Sequence, residues 1–403
     1  MSPTDAGEAE LLRGVVDDRV IEQADARAER MARVRWSVMT EPGDAIAGRL
    51  IAAVGAVAAL QCALDSSASA PAHAGVSTVE LARARERWLP RREDHRHPLL
   101  LARRAGVRLV VPGDAEWPVR ADDLGVHAPI ALWVRGATGA PAHESPAVAI
   151  VGARAATAYG THAAAELAGD LAGSGVTIVS GAAFGIDAAA HRATLAVGGR
   201  GLAVLAGGVE KAYPAGHAEL LSLITARGAV MSEVPCGTAP TKWRFLQRNR
   251  LIAALSDATI VVEAGWRSGS LNTAGHAAAL GRPLGAVPGP ITSAASAGCH
   301  RILREFDGVC TTSGDDVREM LGLDGSGRDA RDRVSGSGAT AGGAARTDDR
   351  TRILDALSSR SPRTVDDLSR RAGMSPDRIV ALLGLLSLEG RAERAPLGWL
   401  SRG

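Results

Sequence analysis

The first part of the chain carries its apolar residues at helical spacing. From residue 8 to about 100, Ala, Leu and Arg recur at intervals of three and four, and strand-forming residues are few. The stretch RLIAAVGAVAALQCAL predicts a short pair of helices that turns at Gly55. A polar, Ala- and Pro-rich interruption follows at 65–76. We therefore predict a small N-terminal helical domain over residues 1–100.

From residue 106 onward, short apolar runs alternate with amphipathic segments. The runs GVRLVVPGD and PIALWVRG lie between Pro and Gly residues and predict two strands within 106–136. Further predicted strands lie at 147–151, 176–179, 202–205, 229–231, 258–262 and 284–287, and predicted helices at 159–173, 187–196, 217–227, 245–255 and 270–280. Strands that are apolar on both faces indicate a parallel sheet covered by helices. The predicted fold class is α/β, with an extended Rossmann-like, mostly parallel sheet over 105–318 and the first two strands at one edge.

The C-terminal part of the chain predicts a linker and a small domain. Residues 322–345 are rich in Gly, Ser, Ala, Asp and Arg without periodicity, which is typical of a flexible linker. Residues 346–403 carry the apolar spacing of three helices, with a turn at Gly373 and a helix cap near Ser375. A two-stranded wing that turns at Pro396–Gly398 completes a predicted winged-helix domain.

Charge and composition exclude several classes of protein. The chain has 46 basic and 44 acidic residues, so any affinity for nucleic acid must come from a local patch. The first ten residues lack the pattern of a secretory signal, and the longest apolar stretch, interrupted by Gln61, is too short to cross a membrane. The four cysteines form no ligand-spaced cluster. We therefore expect a cytoplasmic protein without a membrane segment.

Three loops at the ends of predicted strands are rich in glycine and hydroxyl side chains. They are Gly152-Ala153-Arg154, the segment 180–187 and the segment 263–273. Carboxyl ends of parallel strands meet at one edge of a sheet, and free N–H groups at helix N-termini bind anions. An ordinary tight turn is the alternative for any single loop, and Asp187 is expected to cap the next helix. Three such loops on one edge favour a site for phosphates.

The segment TKWRFLQRNR, residues 241–250, interleaves cations with aromatic rings and contains no acidic residue. Single-stranded nucleic acid requires cations for its backbone and flat rings for its bases, whereas a solvated helix face is the alternative. In a chain with only three Phe, seven Trp and two Tyr, four aromatic residues fall in or beside these loops: Phe184, Trp243, Phe245 and Trp266. This placement favours stacking surfaces. If any of the four turn inward, we expect Trp243 or Trp266 to do so.

Signatures of several enzyme classes are missing. The sequence contains no GxxxxGK[ST] and no GxSxG, and GxGxxG does not follow the first core strand. His191, His217 and His276 lie in predicted helices without paired ligands, which is typical of structural or surface histidines. The sequence therefore predicts neither a catalytic centre nor a metal or cofactor site.

Five blocks of this sequence together resemble the DNA-processing protein A family (DprA, also called Smf). The blocks are VAIVGARAATAYG, IVSGAAFGIDAAAHRATL, VLAGGVEKAYPAGHAEL, WRFLQRNRLIAALSDATIVVEAGWRSGSLNTAGHAAALGRPLGAVPG and AGCHRIL, in the family's order over about residues 105–315. The resemblance implies a non-enzymatic protein that binds incoming single-stranded DNA, shields it from nucleases and helps to load the RecA recombinase in natural transformation. It also implies a homodimer formed through the Rossmann domain.

The resemblance assigns roles to residues of the predicted rim. It implies that Arg154 and Lys242 contact the DNA backbone and that Phe245 stacks on a base. Phe184 stands where many family members have a basic residue, which implies one lost phosphate contact and one gained stacking contact. The predicted DNA-binding residues are Gly152, Ala153, Arg154, Gly181, Phe184, Gly185, Lys242, Phe245, Arg248, Asn249, Arg250, Ser268, Gly269, Ser270 and Thr273.

A nucleotide-binding enzyme of related Rossmann build is the competing class. A phosphoribohydrolase would use the same phosphate loops, but it is expected to show a GGGxGxM-type loop and a positioned Arg–Glu pair. Gly207-Gly208 and Glu263 are the nearest approach to those features. A transcription regulator that acts through the winged helix leaves the large core domain unexplained. Along the presumed recognition helix, from Ser375 to Leu388, Arg378 is the only basic residue, so we expect that domain to dock proteins rather than read duplex DNA.

Overall fold

The computed structural model describes residues 3–92, 95–136, 145–323, 349–359, 361–372 and 374–402. The chain divides into two units, Met1–Ser326 and Gly327–Gly403. Apart from Gly322 and Leu323, the predicted linker lies outside the described residues, and so does the predicted turn at Gly373.

A central sheet organises the first unit. Its strands are β1 (Arg108–Val110), β2 (Leu132–Gly136), β3 (Ala147–Val151), β4 (Thr177–Ser180), β5 (Gly201–Val204), β6 (Ala229–Ser232), β7 (Ala258–Val261), β8 (Leu284–Ala286) and β9 (Val309–Cys310). Their order is β1-β2-β6-β5-β4-β3-β7-β8-β9. β2 pairs antiparallel with β1 and with β6, and the other pairings among these strands are parallel. The predicted α/β fold class is confirmed, and so is the edge position of the first two strands.

Helices cover both faces of this sheet. They are α1 (Pro3–Leu12), α2 (Asp18–Glu22), α3 (Ala24–Met39), α4 (Ala45–Leu64), α5 (Thr78–Trp88), α6 (Arg96–Ala105), α7 (Ala158–Gly173), α8 (Ile186–Ala196), α9 (Ala218–Arg227), α10 (Lys242–Ala254), α11 (Ser270–Ala279), α12 (Ala297–Glu305) and α13 (Gly314–Met320). α7 and α8 pack against Val148 and Ile150 on one face, whereas α10, α11 and α12 pack against Ala149 and Val151 on the other. The central strands are therefore buried on both sides, as their continuous apolar runs predict.

The N-terminal helices bury part of their apolar surface against the sheet. Leu12 of α1 and Leu99 of α6 belong to the same core cluster as Leu109 and Trp133 of the two edge strands. α4 is long and apolar enough to cross a membrane, but its backbone leaves the helical region at Gly55, where φ is 77° and ψ is 163°. Each half is much shorter than the roughly 20 residues that a membrane span requires. The predicted helix pair is therefore confirmed.

The buried His191 makes the stability of the first unit depend on pH. The residue is fully buried in α8, and burial, with smaller contributions from His217 and Arg248, lowers its pKa to about 4. Between that value and the ordinary value of 6.5, the unfolded chain binds a proton that the folded chain does not. Stability from this group is therefore complete above pH 6.5 and falls as the pH is lowered through this window.

We expect acidification from pH 7 to pH 4 to cost about 3 kcal/mol of unfolding free energy through His191 alone. Other groups titrate in the same range, so the measurement is urea unfolding of the wild type and of His191→Leu at both pH values. The variant should lose about 3 kcal/mol less than the wild type on acidification. Equal losses in the two proteins would show that His191 does not carry this pH dependence.

The second unit has three helices followed by a hairpin. They are α14 (Asp349–Ala356), α15 (Val365–Ala372), α16 (Pro376–Leu388), β10 (Ala392–Ala395) and β11 (Gly398–Ser401). The hydroxyl of Ser375 caps α16 by accepting from the backbone N–H of Arg378, and β10 pairs antiparallel with β11. Ile353, Leu368 and Leu383, one from each helix, are buried in a common core. The predicted winged helix, its cap and its hairpin are confirmed.

Candidate nucleic-acid interface

A pocket of about 620 Å³ opens at the carboxyl ends of the central strands. The chain runs from β3 through β4 and β5 to β6 in one direction and then crosses to β7 on the other side of β3, so the pocket lies where the strand order reverses. Ligands of open α/β sheets bind at such a point. The lining residues are Val151, Gly152, Arg154, Ala183, Asp187, Tyr213, Pro240, Thr241, Lys242, Phe245, Leu246, Arg248, Asn249, Ile252, Ser268, Gly269, Ser270 and Thr273.

Helix α10 supplies one wall of the pocket. It begins three residues earlier than predicted because the Thr241 hydroxyl accepts from the backbone N–H of Arg244 at 3.2 Å. Lys242, Phe245 and Asn249 are spaced by three and four residues, so they share one face of the helix, and all three line the pocket. The predicted grouping of a cation, a ring and an amide is therefore observed on this wall.

Arg154 faces the same ring from the opposite wall. Its guanidinium carbon lies 4.7 Å from the centroid of Phe245, within the range of a cation–π contact. Arg154 and Lys242 are both exposed, whereas Phe245 is half-buried. The pocket therefore presents two solvated cations beside a ring that is held in place.

Two glycines allow the loop after β3 to approach its neighbours. A Cβ atom at Gly152 would lie 2.6 Å from the Ile186 side chain and 2.9 Å from the Glu263 carbonyl oxygen. Gly185 has a φ of +78°, and a Cβ there would lie 2.2 Å from the Ala153 carbonyl oxygen. Larger side chains at these positions would force the strand-end loops apart. Gly152 and Gly185 thus position Arg154 without needing to contact a ligand.

Arg248 and Asp187 form the floor of the pocket. The buried Arg248 guanidinium donates to the carbonyl oxygens of Gly181, at 2.8 Å, and Val204. Burial lowers its pKa to about 10, so it remains a cation at neutral pH. Burial also raises the pKa of Asp187, an effect that the Arg248 charge opposes. The floor therefore holds a buried cation, Arg248, with the Asp187 carboxyl beside it.

The expected cap role of Asp187 is wrong. Gly185 is the N-cap of α8, and Asp187 is the second residue of the helix. Its carboxylate accepts from the backbone N–H groups of Gly181 at 3.1 Å and Ala183 at 3.3 Å. Asp187 thus holds the loop after β4 rather than the helix end.

The start of α11 brings hydroxyl groups and a helix N-terminus to the pocket. Its N-cap, Gly269, makes no side-chain cap hydrogen bond. The hydroxyls of Ser268 and Ser270 lie 2.8 Å apart, and Thr273 lines the pocket one turn further on. A helix N-terminus with this composition stabilises an anion through its backbone N–H groups and its dipole. The predicted hydroxyl-rich loop is therefore placed at the pocket.

Arg250 requires a correction. Its side chain is 4% exposed and is paired with the carboxylate of Glu233, whose side chain is 10% exposed. That carboxylate also accepts from the backbone N–H of Gly43 at 3.1 Å. Arg244 likewise turns away from the pocket and pairs with Glu41 at 2.8 Å. Arg244 connects α10 to the segment before α4, and Arg250 connects it to the segment after β6. The DNA contact predicted for Arg250 therefore conflicts with its ion pair.

The remaining predicted residues lie beside the pocket rather than in its lining. Ala153, Gly181 and Gly185 belong to the loops after β3 and β4, and Phe184 projects from the second of these with 51% of its surface exposed. Trp243 and Trp266, which we expected to be the aromatic residues most prone to turn inward, are 57% and 59% exposed. That expectation is wrong, because four other tryptophans fill the core: Trp36, Trp88, Trp117 and Trp133.

Tyr213 is a pocket residue that the sequence reasoning missed. It is 47% exposed, lines the pocket and lies with its ring centroid 5.6 Å from that of Phe245. Its loop follows β5, whose carboxyl end meets the same edge of the sheet as those of β3 and β4. That position, in a chain with two tyrosines, is the signal that could have identified it.

The chain combines an extended Rossmann-like sheet, a pocket of cations and rings at the switch point of that sheet, and a winged helix. Together these features define a class of nucleic-acid-binding α/β proteins. The family model of DNA recombination-mediator protein A matches residues 108–322, and the DprA winged helix domain model matches residues 337–397. The chain belongs to the DNA recombination-mediator protein A (DprA) family, which confirms the resemblance seen in the sequence.

Known relatives agree with this assignment. The chain is 44% identical over 307 residues to the DNA processing protein DprA of Mycobacterium tuberculosis, covering 73% of this chain and 76% of the relative. It is 40% identical over 190 residues to the DNA processing protein DprA of Streptococcus pneumoniae, covering 47% and 66% respectively. The X-ray structure of DprA from Streptococcus pneumoniae matches with a TM-score of 0.59 and 29% identity, over 72% of this chain and 97% of that chain.

Proposed function

We propose that this protein binds single-stranded DNA without strong sequence preference, shields it from nucleases and helps to load RecA recombinase during transformation or recombination. The observation that carries the proposal is the convergence of Arg154, Lys242 and Phe245 in one pocket. Two exposed cations suit phosphates, and the ring that Arg154 contacts suits a base. Bases of a duplex are stacked on each other, so a ring in a pocket reaches only an unpaired base.

The protein acts without catalysis in this proposal. Glu263, the carboxylate that a phosphoribohydrolase would need, is buried and accepts from the backbone N–H of Thr157 at 2.9 Å and from its hydroxyl at 2.5 Å. Asp187, the acidic residue that lines the pocket, is held by the loop after β4. Neither carboxylate is free to act as a general acid or base, which favours a binding site over an enzyme active site.

Membership of a family of recombination mediators supports the proposed partners. They are single-stranded DNA, RecA recombinase and a second copy of this chain, bound through the Rossmann-like domain. We propose that this assembly works in the cytoplasm and needs no cofactor. Among the described residues, no group of three or more His, Cys, Asp or Glu side chains is placed to hold a metal ion.

Fluorescence anisotropy with labelled oligothymidylate tests the proposed DNA specificity. A duplex of equal length and thymidine monophosphate serve as competitors. We expect both to compete weakly, and the affinity for the single strand to fall with salt by about 0.7 log units per log unit for each neutralised phosphate. Equal affinity for the duplex, or a complex insensitive to salt, would contradict the proposal. Tight binding of the mononucleotide would instead favour the nucleotide-binding enzyme.

The winged helix is expected to be dispensable for single-strand binding. Helix α16 exposes Val380 and Leu385 beside Arg378, and Leu397 at the turn of the hairpin is also exposed. Such a surface suits protein docking or regulation better than phosphate contacts. A chain that ends at Ser326 should keep the affinity of the full chain for oligothymidylate. Loss of most of that affinity would place the winged helix in the DNA site.

A further inference from the structure

Two further aromatic residues, Tyr213 and Phe184, lie to one side of Phe245. Tyr213 lines the pocket and touches Phe245, and three residues later Gly216 lines a second groove. Phe184 directly follows Ala183, another lining residue of the pocket. A Cβ atom placed on Gly216 would lie 3.8 Å from the tip of the Phe184 ring. Tyr213 thus lies beside Phe245, and Phe184 lies beside the loop that carries Tyr213. We name Tyr213 and Phe184 the aromatic lane.

The Phe184 ring is held in its exposed position by the residue beneath it. Its centroid lies 4.5 Å from that of His217, in an edge-to-face arrangement. His217 is buried, and its Nδ1 donates to the Ala182 carbonyl oxygen at 2.9 Å. Phe184 itself keeps half of its surface in solvent. An exposed ring on a rigid support is preorganised to stack on a ligand rather than to fill a core.

The groove beyond the lane lies between α8 and α9, with a volume of about 500 Å³. Arg192 and Arg227 line it together with Glu219 and the half-exposed Leu223. Arg227 donates to the Leu195 carbonyl oxygen at 2.8 Å, whereas Arg192 is exposed and has no ion pair or hydrogen bond to another described residue. The groove thus carries two cations and one carboxylate, and it lies at the end of the aromatic lane. This combination of charge and rings suits the backbone of a nucleic acid.

We propose that a second single-strand subsite runs along the aromatic lane into the α8–α9 groove. Bases that leave the pocket stack on Tyr213 and Phe184, and Arg192 contacts a phosphate beyond them. The ligand is the continuation of the strand held in the pocket, so this inference rests on the proposed function. It extends the footprint by several nucleotides and assigns Phe184 to the strand outside the pocket, not to the base inside it.

The test compares two oligothymidylates on the full chain, one of about four nucleotides, which fills the pocket alone, and one of about twelve. The wild type should bind the long strand more tightly. Phe184→Ala should weaken binding of the long strand by about 5-fold to 150-fold, because base stacking is worth about 1–3 kcal/mol. It should leave the short strand unaffected, and Phe184→Trp should retain the long-strand affinity. Arg192→Ala should lower the salt dependence for the long strand only.

Trp266→Ala is the matched control, because Trp266 is similarly exposed but lies outside both the pocket lining and the groove. It should change neither affinity. The subsite is overturned if Phe184→Ala affects both strands equally, if it affects neither, or if the wild type gains nothing from the longer strand. If the groove instead binds a protein partner, Phe184→Ala should affect neither strand. Failure of the wild type to bind either strand would instead overturn the proposed function itself.

Discussion

Replacing Glu233 by methionine is expected to lower the free energy of unfolding by about 3–5 kcal/mol. The substitution leaves the Arg250 guanidinium buried without its carboxylate and also removes the acceptor of the Gly43 N–H group. An unpaired buried charge is among the most costly defects that a single substitution creates. Urea unfolding followed by tryptophan fluorescence measures the change.

The double variant Glu233→Met/Arg250→Met separates the charge effect from a loss of packing. Removing both charges leaves no unpaired ion, so the double variant should recover most of the lost stability. A single variant with wild-type stability would contradict the buried pair. If a folded Arg250→Met protein binds DNA more weakly and its DNA affinity depends less on salt, Arg250 contacts DNA after all.

Replacing Phe245 by alanine is expected to weaken binding of oligothymidylate by about 1–3 kcal/mol, a loss of about 5-fold to 150-fold. The ring lies in the pocket between Arg154 and Tyr213, so its removal deletes both the stacking platform and the group that positions the Arg154 cation. Anisotropy titration at fixed salt measures the affinity, and the thermal midpoint reports on folding.

Trp243→Ala is the matched control for this loss. Trp243 lies two residues earlier on the same helix and is exposed, but it does not line the pocket. Its removal should leave affinity unchanged, whereas Phe245→Tyr, which keeps a ring, should bind nearly as the wild type does. If Phe245→Ala instead lost about 3–5 kcal/mol of folding stability and kept its affinity when folded, Phe245 would be a core residue.

The sequence predicts the sheet and the location of the site because both depend on local pattern. Continuous apolar runs between helical segments determine which strands are buried on both faces, and parallel pairing then brings the segments after β3, β4, β6 and β7 to one edge. Arg154, Lys242, Phe245 and Ser268 meet at the pocket for this reason.

Contacts between segments that are far apart in the sequence could not be predicted from local pattern. The cations of TKWRFLQRNR resemble one basic surface in the sequence, but the segment is helical, and a rotation of about 100° per residue separates them. Lys242 faces the pocket with Phe245, while Arg244 and Arg250 face other elements. Their partners Glu41 and Glu233 lie elsewhere in the sequence and cannot be paired with them from spacing alone.

The directions of side chains in loops also could not be predicted from the sequence pattern. Tyr213 belongs to an irregular segment after β5, where no periodicity indicates which way a side chain points. Asp187 is of a residue type that often caps helices. Here its carboxylate accepts from N–H groups of the preceding loop instead, and these hydrogen bonds decide its role. Such assignments need the tertiary neighbours.

The salt dependence of oligothymidylate binding by Arg154→Ala/Lys242→Ala tests the central claim most directly. The control is Arg83→Ala/Arg104→Ala, which removes the same charge from exposed positions outside the pocket lining. If the two pocket cations each neutralise a phosphate, the slope of log affinity against log salt should fall by roughly 1.4 units, about 0.7 for each contact. The control should keep the wild-type slope. A pocket variant that remains folded and keeps both the affinity and the slope of the wild type would show that single-stranded DNA binds elsewhere.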